Sequence, residues 1–220
     1  MKPPTQSRWN FPAPIDWPLD DDVVAVGADL SPDTILYAYA HGMFPMYLDA
    51  KHRNLGWWSP VERGVVPLEN FHASRSLRKS AHKFHCTVNT AFLAVMHKCA
   101  TTHTQGNWIT QDFIDSYGAL HQMGHAHSVE VWNERNELVG GLYGLRINKF
   151  FAGESMFHTE TDASKMALMH LVSLMTLAGM ALLDTQWNTD HLASLGCTTV
   201  PRDRYLALLA EAVTEESPFS

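Results

Sequence analysis

The 220-residue chain has no apolar run approaching the roughly 20 residues that a membrane-spanning helix needs. Its first residues, Met1-Lys2-Pro3-Pro4, lack the apolar stretch of a secretory signal. Cysteine is scarce: Cys86, Cys99 and Cys197 are odd in number and lack metal-ligand spacing. A disulfide framework and a Cys-built metal centre are therefore not expected, and the expected compartment is a reducing cytoplasm. Internal repeats and low-complexity tracts are also missing. What remains is 45% hydrophobic and 18% charged, the composition of a globular protein with one large domain or two small ones.

One further absence is local. From Asn70 to Gln111 there is no Asp or Glu, although the formal charge of the chain is −7. Arg75, Arg78, Lys79, Lys83 and Lys98 all fall in that window. On a helix Arg75, Arg78, Lys79, His82 and Lys83 share one face. A solvated face interleaves both signs, so this stripe suits a polyanion held through its phosphates.

Along the chain, Ser31 and Pro32 open a helix that Gly42 stops. Pro45, Asn54-Leu55-Gly56 and Pro60 break the next segment, placing a boundary near Pro60 between residues 1–60 and 61–220. Helices are expected from His72 to Lys83, from Asn89, and from Thr110 to Gly124. Then the period changes. Ser128 to Trp132 alternates, Leu138 to Leu145 returns as a strand, and Phe150-Phe151 opens a third after a turn at Asn148-Lys149. A helix from about Asp162 to Ala178, a strand at Asp184 and a last helix behind Pro201 complete an α+β chain. It has a small N-terminal subdomain and a mixed α/β domain with an antiparallel meander at its centre.

Chemistry is expected where polar groups interrupt apolar sequence. Asp184 and Gln186 end the run Met180-Ala181-Leu182-Leu183, and residues i and i+2 of a strand share a face. Glu154 sits in Phe150-Phe151-Ala152-Gly153-Glu154-Ser155-Met156-Phe157, where an unpaired carboxylate is costly. Together these segments read as a pocket with apolar walls and convergent polar groups. Trp57, Trp58 and Trp108 are the aromatic candidates. Adjacent Trp57 and Trp58 cannot both face inward on a strand, and the exposed one would serve a cleft for unstacked bases at an RNA end. His121, His125 and His127 lack a HExxH-like base and a third carboxylate ligand, and read as structural histidines.

The order of elements from Ser128 to Asp184 resembles the acyltransferase domain that usually binds acetyl-CoA. The Gln/Arg-x-x-Gly-x-Gly/Ala turn that cradles that cofactor is absent between Glu154 and Lys165. The fold is kept and the donor differs, with no cofactor or metal expected. Gly140-Gly141-Leu142-Tyr143-Gly144 reads instead as a bulged strand.

Longer motifs name that donor. Gly42-Met43-Phe44-Pro45, Trp57-Trp58-Ser59-Pro60, Ser74-Arg75-Ser76, Trp108-Ile109-Thr110, Gly124 to Trp132, Leu138 to Gly144, Gly153-Glu154-Ser155-Met156-Phe157, Asp184-x-Gln186 and Ala193-Ser194-Leu195-Gly196 occur in one order. With them the chain resembles the leucyl/phenylalanyl-tRNA–protein transferase family from about Phe11 to Leu209. The resemblance implies an acetyltransferase-like (GNAT-type) domain behind the N-terminal subdomain. It implies transfer of Leu or Phe, less well Met, from aminoacyl-tRNA to proteins beginning with Lys or Arg, marking them for degradation. Asp184 would hold the incoming ammonium and take its proton, with Gln186 orienting it. Glu154 would hold the aminoacyl-adenosine end, and Trp108, Leu142, Phe151 and Leu171 the side chain.

Three departures from the family pattern stand out. Met46 replaces a common Trp, Leu142 replaces a common Met, and Asn188-Thr189 precedes Asp190-His191 where the family tends to have Asn directly before Asp-His. The first two fall at positions that line the aminoacyl pocket in the family, and Asn188 is a candidate to take over the lost Asn contact. Two readings from other classes are separable by experiment: a non-catalytic RNA-binding module and a His-based metallohydrolase.

Overall fold

A computed structural model describes residues 6–49, 51–102 and 108–214, so the expectation for residues 1–4 lies outside the described residues. Strand β1 (Val23–Val26), helix α1 (Pro32–Ala40) and strands β2 (Phe44–Tyr47) and β3 (Leu55–Trp58) come first. The strands pair antiparallel in the order β1-β3-β2. Pro45 does not break this segment as expected; it lies within edge strand β2, where proline is tolerated. Ser31 and Pro32 do open α1, although the Ser31 hydroxyl bonds Asp29 and Thr34 rather than a helix N–H. Gly42 turns the chain at φ +87°, a conformation that favours glycine, and an added Cβ would meet the Leu206 side chain.

Next come β4 (Glu62–Val66), α2 (Arg75–Ser80), β5 (Phe84–Val88), α3 (Phe92–Thr102), α4 (Gln111–Gln122), β6 (Ala126–Asn133), β7 (Leu138–Ile147) and β8 (Phe150–His158). Helix α5 (Ala163–Leu177), β9 (Leu182–Gln186), α6 (Asp190–Ala193), β10 (Thr198–Pro201) and α7 (Arg202–Thr214) complete the chain. Seven strands form one sheet, β10-β4-β9-β8-β7-β6-β5. All its pairings are antiparallel except β8 with β9, whose connection is α5. The meander feeding a parallel pair through a helix is the acetyltransferase-like arrangement expected from the sequence.

Two apolar clusters cover the faces of this sheet. Helix α5 buries Met166, Ala167, Leu168, Leu171, Val172 and Met175, an amphipathic stripe packed on Val129, Val131, Leu142 and Leu183. The other cluster includes residues of α1, α3, α4 and α7 and the small sheet, where Tyr39, Trp57, Phe113, Tyr117, Tyr143 and Tyr205 are buried. Glycines at 140–144 admit close neighbours: a Cβ on Gly144 would strike the Ala152 carbonyl and the Phe151 ring. The β7–β8 register slips between Tyr143 and Gly144, the bulge read from the sequence.

Several local expectations need correction. The helix expected over His72 to Lys83 spans only Arg75–Ser80, capped by the Ser74 hydroxyl accepting from the Leu77 N–H at 3.1 Å. A 3-10 turn, Ala81–Lys83, comes after it and runs into β5. The stripe therefore winds more tightly at its end than a continuous α-helix would. The helix expected from Asn89 starts at Phe92, because Asn89 itself takes φ +59° in the preceding turn. Among the described residues, no helix is long and apolar enough to cross a membrane.

Candidate active site

Two small cavities meet at one wall. The first, about 300 Å³, is lined by Leu142, Met156, Leu168, Leu171 and Leu183 on its apolar side. The second, about 200 Å³, is lined by Phe44, Pro45, Met46, Trp108 and Trp187. Both contain Glu154, Thr185, Gln186, Thr189 and Leu192. One chamber is thus aliphatic, the other aromatic, and polar groups stand between them. A wider groove of about 730 Å³ between the small sheet and α4 is lined by none of these residues.

Glu154 projects from β8 at this junction. Its Oε1 accepts from the Tyr39 hydroxyl at 2.7 Å and from Gln186 Nε2 at 3.4 Å. The Tyr39 and Tyr117 hydroxyls are 2.8 Å apart. Burial pushes the Glu154 carboxyl up to about 8, against the hydrogen bond from Tyr39, and nearby Asp184 raises it further. The folded state therefore holds this proton more tightly than the unfolded chain. The group favours folding most below pH 4.5, and its contribution is lost as the pH rises towards about 8. Burial also raises the phenols of Tyr39 and Tyr117, which stay protonated at neutral pH.

Asp184 and Gln186 are neighbours, as their spacing implies, but only Gln186 reaches the cavities. Asp184 is 0% exposed. Its Oδ1 accepts from Arg63 Nε at 2.9 Å and from the Gln186 backbone N–H at 2.8 Å; its Oδ2 accepts from Arg63 Nη2 at 2.6 Å and the Tyr205 hydroxyl at 2.9 Å. All these partners are internal, so a direct grip on an incoming ammonium, expected from the sequence, has no open path. Arg63 comes from β4, lies 4.8 Å from the Phe44 ring centroid and 4.4 Å from that of Tyr205, and also donates to the Gly42 carbonyl.

The consequence for Gln186 is conformational. It takes φ +60°, and the Trp187 N–H closes a tight turn onto the Thr185 carbonyl at 2.7 Å. A non-glycine residue in this region costs on the order of 1–3 kcal/mol and persists only when its surroundings hold it. The bond from its N–H to Asp184 supplies that hold. The β4–β9 register slips here, beside Gly64, whose missing Cβ leaves room for the Trp187 and Asn188 backbone.

The other expected site residues divide. Leu142 and Leu171 line the aliphatic chamber, whereas Trp108 and Met46 line the aromatic one, so the expected single group of Trp108, Leu142, Phe151 and Leu171 is split. Phe151 is a correction: it is 3% exposed, packs under α5 and lines neither chamber. Trp57 is another, fully buried with its indole N–H on the Gly27 carbonyl at 2.8 Å. Trp58 is half-buried as the alternation required, but it packs edge-on to Trp187, with ring centroids 5.9 Å apart, rather than lining a chamber. Asn188 donates to the Cys197 carbonyl at 3.5 Å and lines neither cavity, while Thr189 lines both and caps α6. Arg75, Arg78, Lys79 and Lys83 are exposed, with no ion pair among the described residues. His121 and His125 share their Nδ1 atoms with the Ala126 and Arg146 carbonyls.

Sequence reasoning missed Arg63, Tyr39, Tyr117 and Tyr205. A lone cation inside Val61-Glu62-Arg63-Gly64-Val65-Val66 was a signal for Arg63; the three tyrosines were hidden in helical apolar stripes.

Known proteins resemble this chain along most of its length. The family description "Leucyl/phenylalanyl-tRNA protein transferase" matches residues 65–210, and its N-terminal domain matches residues 28–61. The leucyl/phenylalanyl-tRNA–protein transferase of Pseudoalteromonas atlantica is 46% identical over 209 residues, 93% of this chain and 88% of that one. That of Nitrobacter winogradskyi is 46% identical over 196 residues, 87% of each. Among solved structures, FemX overlaps with a TM-score of 0.47 at 13% identity, over 77% of this chain and 66% of that one. With both matched regions flanking the Arg63 strand and the longer one containing Glu154, Asp184 and Gln186, the chain belongs to the leucyl/phenylalanyl-tRNA–protein transferase family.

Proposed function

We propose that this aminoacyltransferase moves Leu or Phe, and less well Met, from aminoacyl-tRNA to the α-amine of proteins beginning with Lys or Arg, generating a degradation signal. The cytoplasm, where charged tRNA and such acceptors meet, is its place of work. The supporting observation is the junction of an aliphatic and an aromatic chamber at Glu154 and Gln186. An aminoacyl-adenosine end has the same three parts: an apolar side chain, a flat base and an ester between them. The donor side chain enters among Leu142, Met156, Leu168, Leu171 and Leu183. The base enters beside Trp108, where aromatic faces accept unstacked bases. The ester then lies against Glu154 and Gln186.

This ester is already activated, so the reaction needs no nucleophilic serine or cysteine. Holding a neutral amine against the carbonyl supplies much of the acceleration. Gln186 is the orienting hydrogen-bond partner, and Asp184 serves the reaction through the backbone of Gln186. Arg75, Arg78, Lys79 and Lys83 bind phosphates of the tRNA body, and residues 1–60 form a subdomain that closes the aromatic chamber with Phe44 and Met46. The test is incubation of the protein with labelled Phe-tRNA or Leu-tRNA and a peptide beginning with Arg. Transfer to that peptide, and none to one beginning with Asp, is expected.

Leu142 gives a sharper check. A longer Met there takes space from the aliphatic chamber and costs Phe more than Leu. One methylene in an apolar pocket is worth about 1–3 kcal/mol. Leu142→Met is therefore expected to lower the Phe-to-Leu ratio by about tenfold, with the Lys/Arg requirement unchanged. β-branched Ile and Val are expected to transfer poorly with either enzyme. Efficient transfer of Val, or of a charged residue, removes the aliphatic chamber from substrate recognition.

A further inference from the structure

We infer that Glu154, held by the Tyr117–Tyr39 phenol pair, is the proton shuttle of the transfer. The inference deepens the proposed function and rests on it. Glu154 is the one carboxylate lining both chambers among the described residues, so it adjoins the ester wherever the donor's two ends are seated. Asp184 is excluded by its closed set of partners, Arg63, Tyr205 and the Gln186 N–H.

Both phenols serve the carboxyl: the Tyr39 hydroxyl donates to Glu154 Oε1 at 2.7 Å, the Tyr117 hydroxyl lies 2.8 Å from that of Tyr39, and the Tyr117 hydroxyl is itself hydrogen-bonded to Glu154. Gln186 Nε2 points at the same oxygen. Tyr39 and Gln186 therefore converge on one oxygen of the carboxyl at the wall shared by the two chambers. Groups of charge or titration facing Glu154 are Tyr39 from α1, Arg63 from β4, Tyr117 from α4, Tyr143 from β7 and Asp184 from β9. Arg63 and Asp184 neutralise each other, and the phenols are uncharged. His191 of α6 also lines the aliphatic chamber, where burial lowers its imidazole below the ordinary value, so Glu154 is left as the carboxyl that exchanges a proton near neutral pH.

The step balances without an external acid or base. The acceptor amine forms a C–N bond to the ester carbonyl carbon. The C–O bond to the ribose breaks, and its electron pair leaves on the ribose oxygen, which takes the Glu154 proton. The resulting carboxylate removes a proton from the new C–N nitrogen, restoring the acid. An ester and an amine become an amide and a hydroxyl with no net proton released.

The experiment is single-turnover transfer from preformed Phe-tRNA to an Arg-peptide across the neutral and mildly alkaline range. The wild-type rate is expected to be bell-shaped. Its rising limb follows the acceptor amine, which titrates at about pH 7.7–8.0 when unperturbed. Its falling limb follows ionisation of Glu154. Glu154→Gln is expected to cut the rate at saturating Phe-tRNA by about 100- to 10,000-fold, keep thermal stability, retain the rising limb and lose the falling one. Tyr39→Phe removes a donor that favours the ionised carboxyl, so it moves the falling limb to higher pH; Tyr117→Phe moves it less, in the same direction. A Glu154→Gln rate within a few-fold of wild type, a loss confined to KM, or an unchanged falling limb overturns the shuttle. Absence of transfer by the wild-type protein at every pH instead overturns the reading on which it rests.

Discussion

Asp184→Asn is expected to lose both stability and transfer. The substitution leaves the Arg63 guanidinium buried without its counter-charge, 0% exposed and enclosed by Phe44 and Tyr205. It also turns an amide N–H₂ towards donors that now face an acceptor oxygen. Removing one partner of a buried pair costs about 3–5 kcal/mol. In a domain of this size, each kcal/mol lowers Tm by about 2–4 °C, so a fall on the order of 10 °C is expected. The surviving folded protein is expected to transfer at least about 100-fold more slowly, the cost of misplacing a reacting group by about 1 Å. The misplaced group is Gln186, whose left-handed turn is tied to Asp184 Oδ1. The double variant Arg63→Met/Asp184→Leu separates the two effects: apolar packing restores Tm while transfer stays low. Thermal unfolding and single-turnover rates, the latter taken below the transition, provide the check. A single variant with wild-type Tm and a rate within a few-fold of normal eliminates this role for Asp184.

The second large effect concerns the donor's body rather than its end. Arg75, Arg78, Lys79 and Lys83 are exposed and without an ion pair among the described residues, inside a window of sequence with no acid. Four phosphate contacts release about four counterions, and each contributes about 0.9 to the log–log slope of affinity against salt. Replacing all four residues with Ala is expected to flatten that slope by about 3–4 units and weaken tRNA binding on the order of a thousandfold at about 0.15 M salt. Transfer at saturating donor is expected to change little. Titrating uncharged tRNA against both proteins at several salt concentrations measures the slope. Equal slopes would reduce the stripe to a solvated surface.

Much of the scaffold was legible because local periodicity and tertiary environment agree there. Ser128 to Trp132 alternates and is β6, although its polar positions Ser128 and Glu130 are buried too and satisfy each other by a hydrogen bond; Asn136 and Asn148 take positive φ at the two hairpin turns, as their residue type favours. Helix α5 announces its buried face by spacing alone. Strands β4, β5 and β10 were not legible, for they have four or five residues and include Gly64 and Pro201. In the site, Glu154 and Gln186 were visible as polar intrusions. The partner of Asp184 was not, because Arg63 lies 121 residues away and no local pattern records that pairing. The tyrosines failed differently. Tyr39 and Tyr117 satisfy a helical apolar stripe with their rings, so the sequence carries no mark that their hydroxyls meet across 78 residues. Phe151 was placed in the pocket by the family resemblance and Trp57 was offered with Trp58 as an aromatic candidate, and both are in the core instead.

The Arg63 knot also carries a clock. During synthesis, chains lengthen at about 5–20 residues per second, so Arg63 emerges about 6–24 s ahead of the carboxylate it pairs with, 121 residues on. Tyr205, which closes the pair, is made 21 residues later still, on the last helix. Throughout that interval the β4 guanidinium remains hydrated, and the turn at Gln186 has nothing to lock it. A ribosome-bound chain that already carries the Phe44, Pro45 and Met46 wall of the aromatic chamber therefore still lacks the ordered Gln186 turn that completes it.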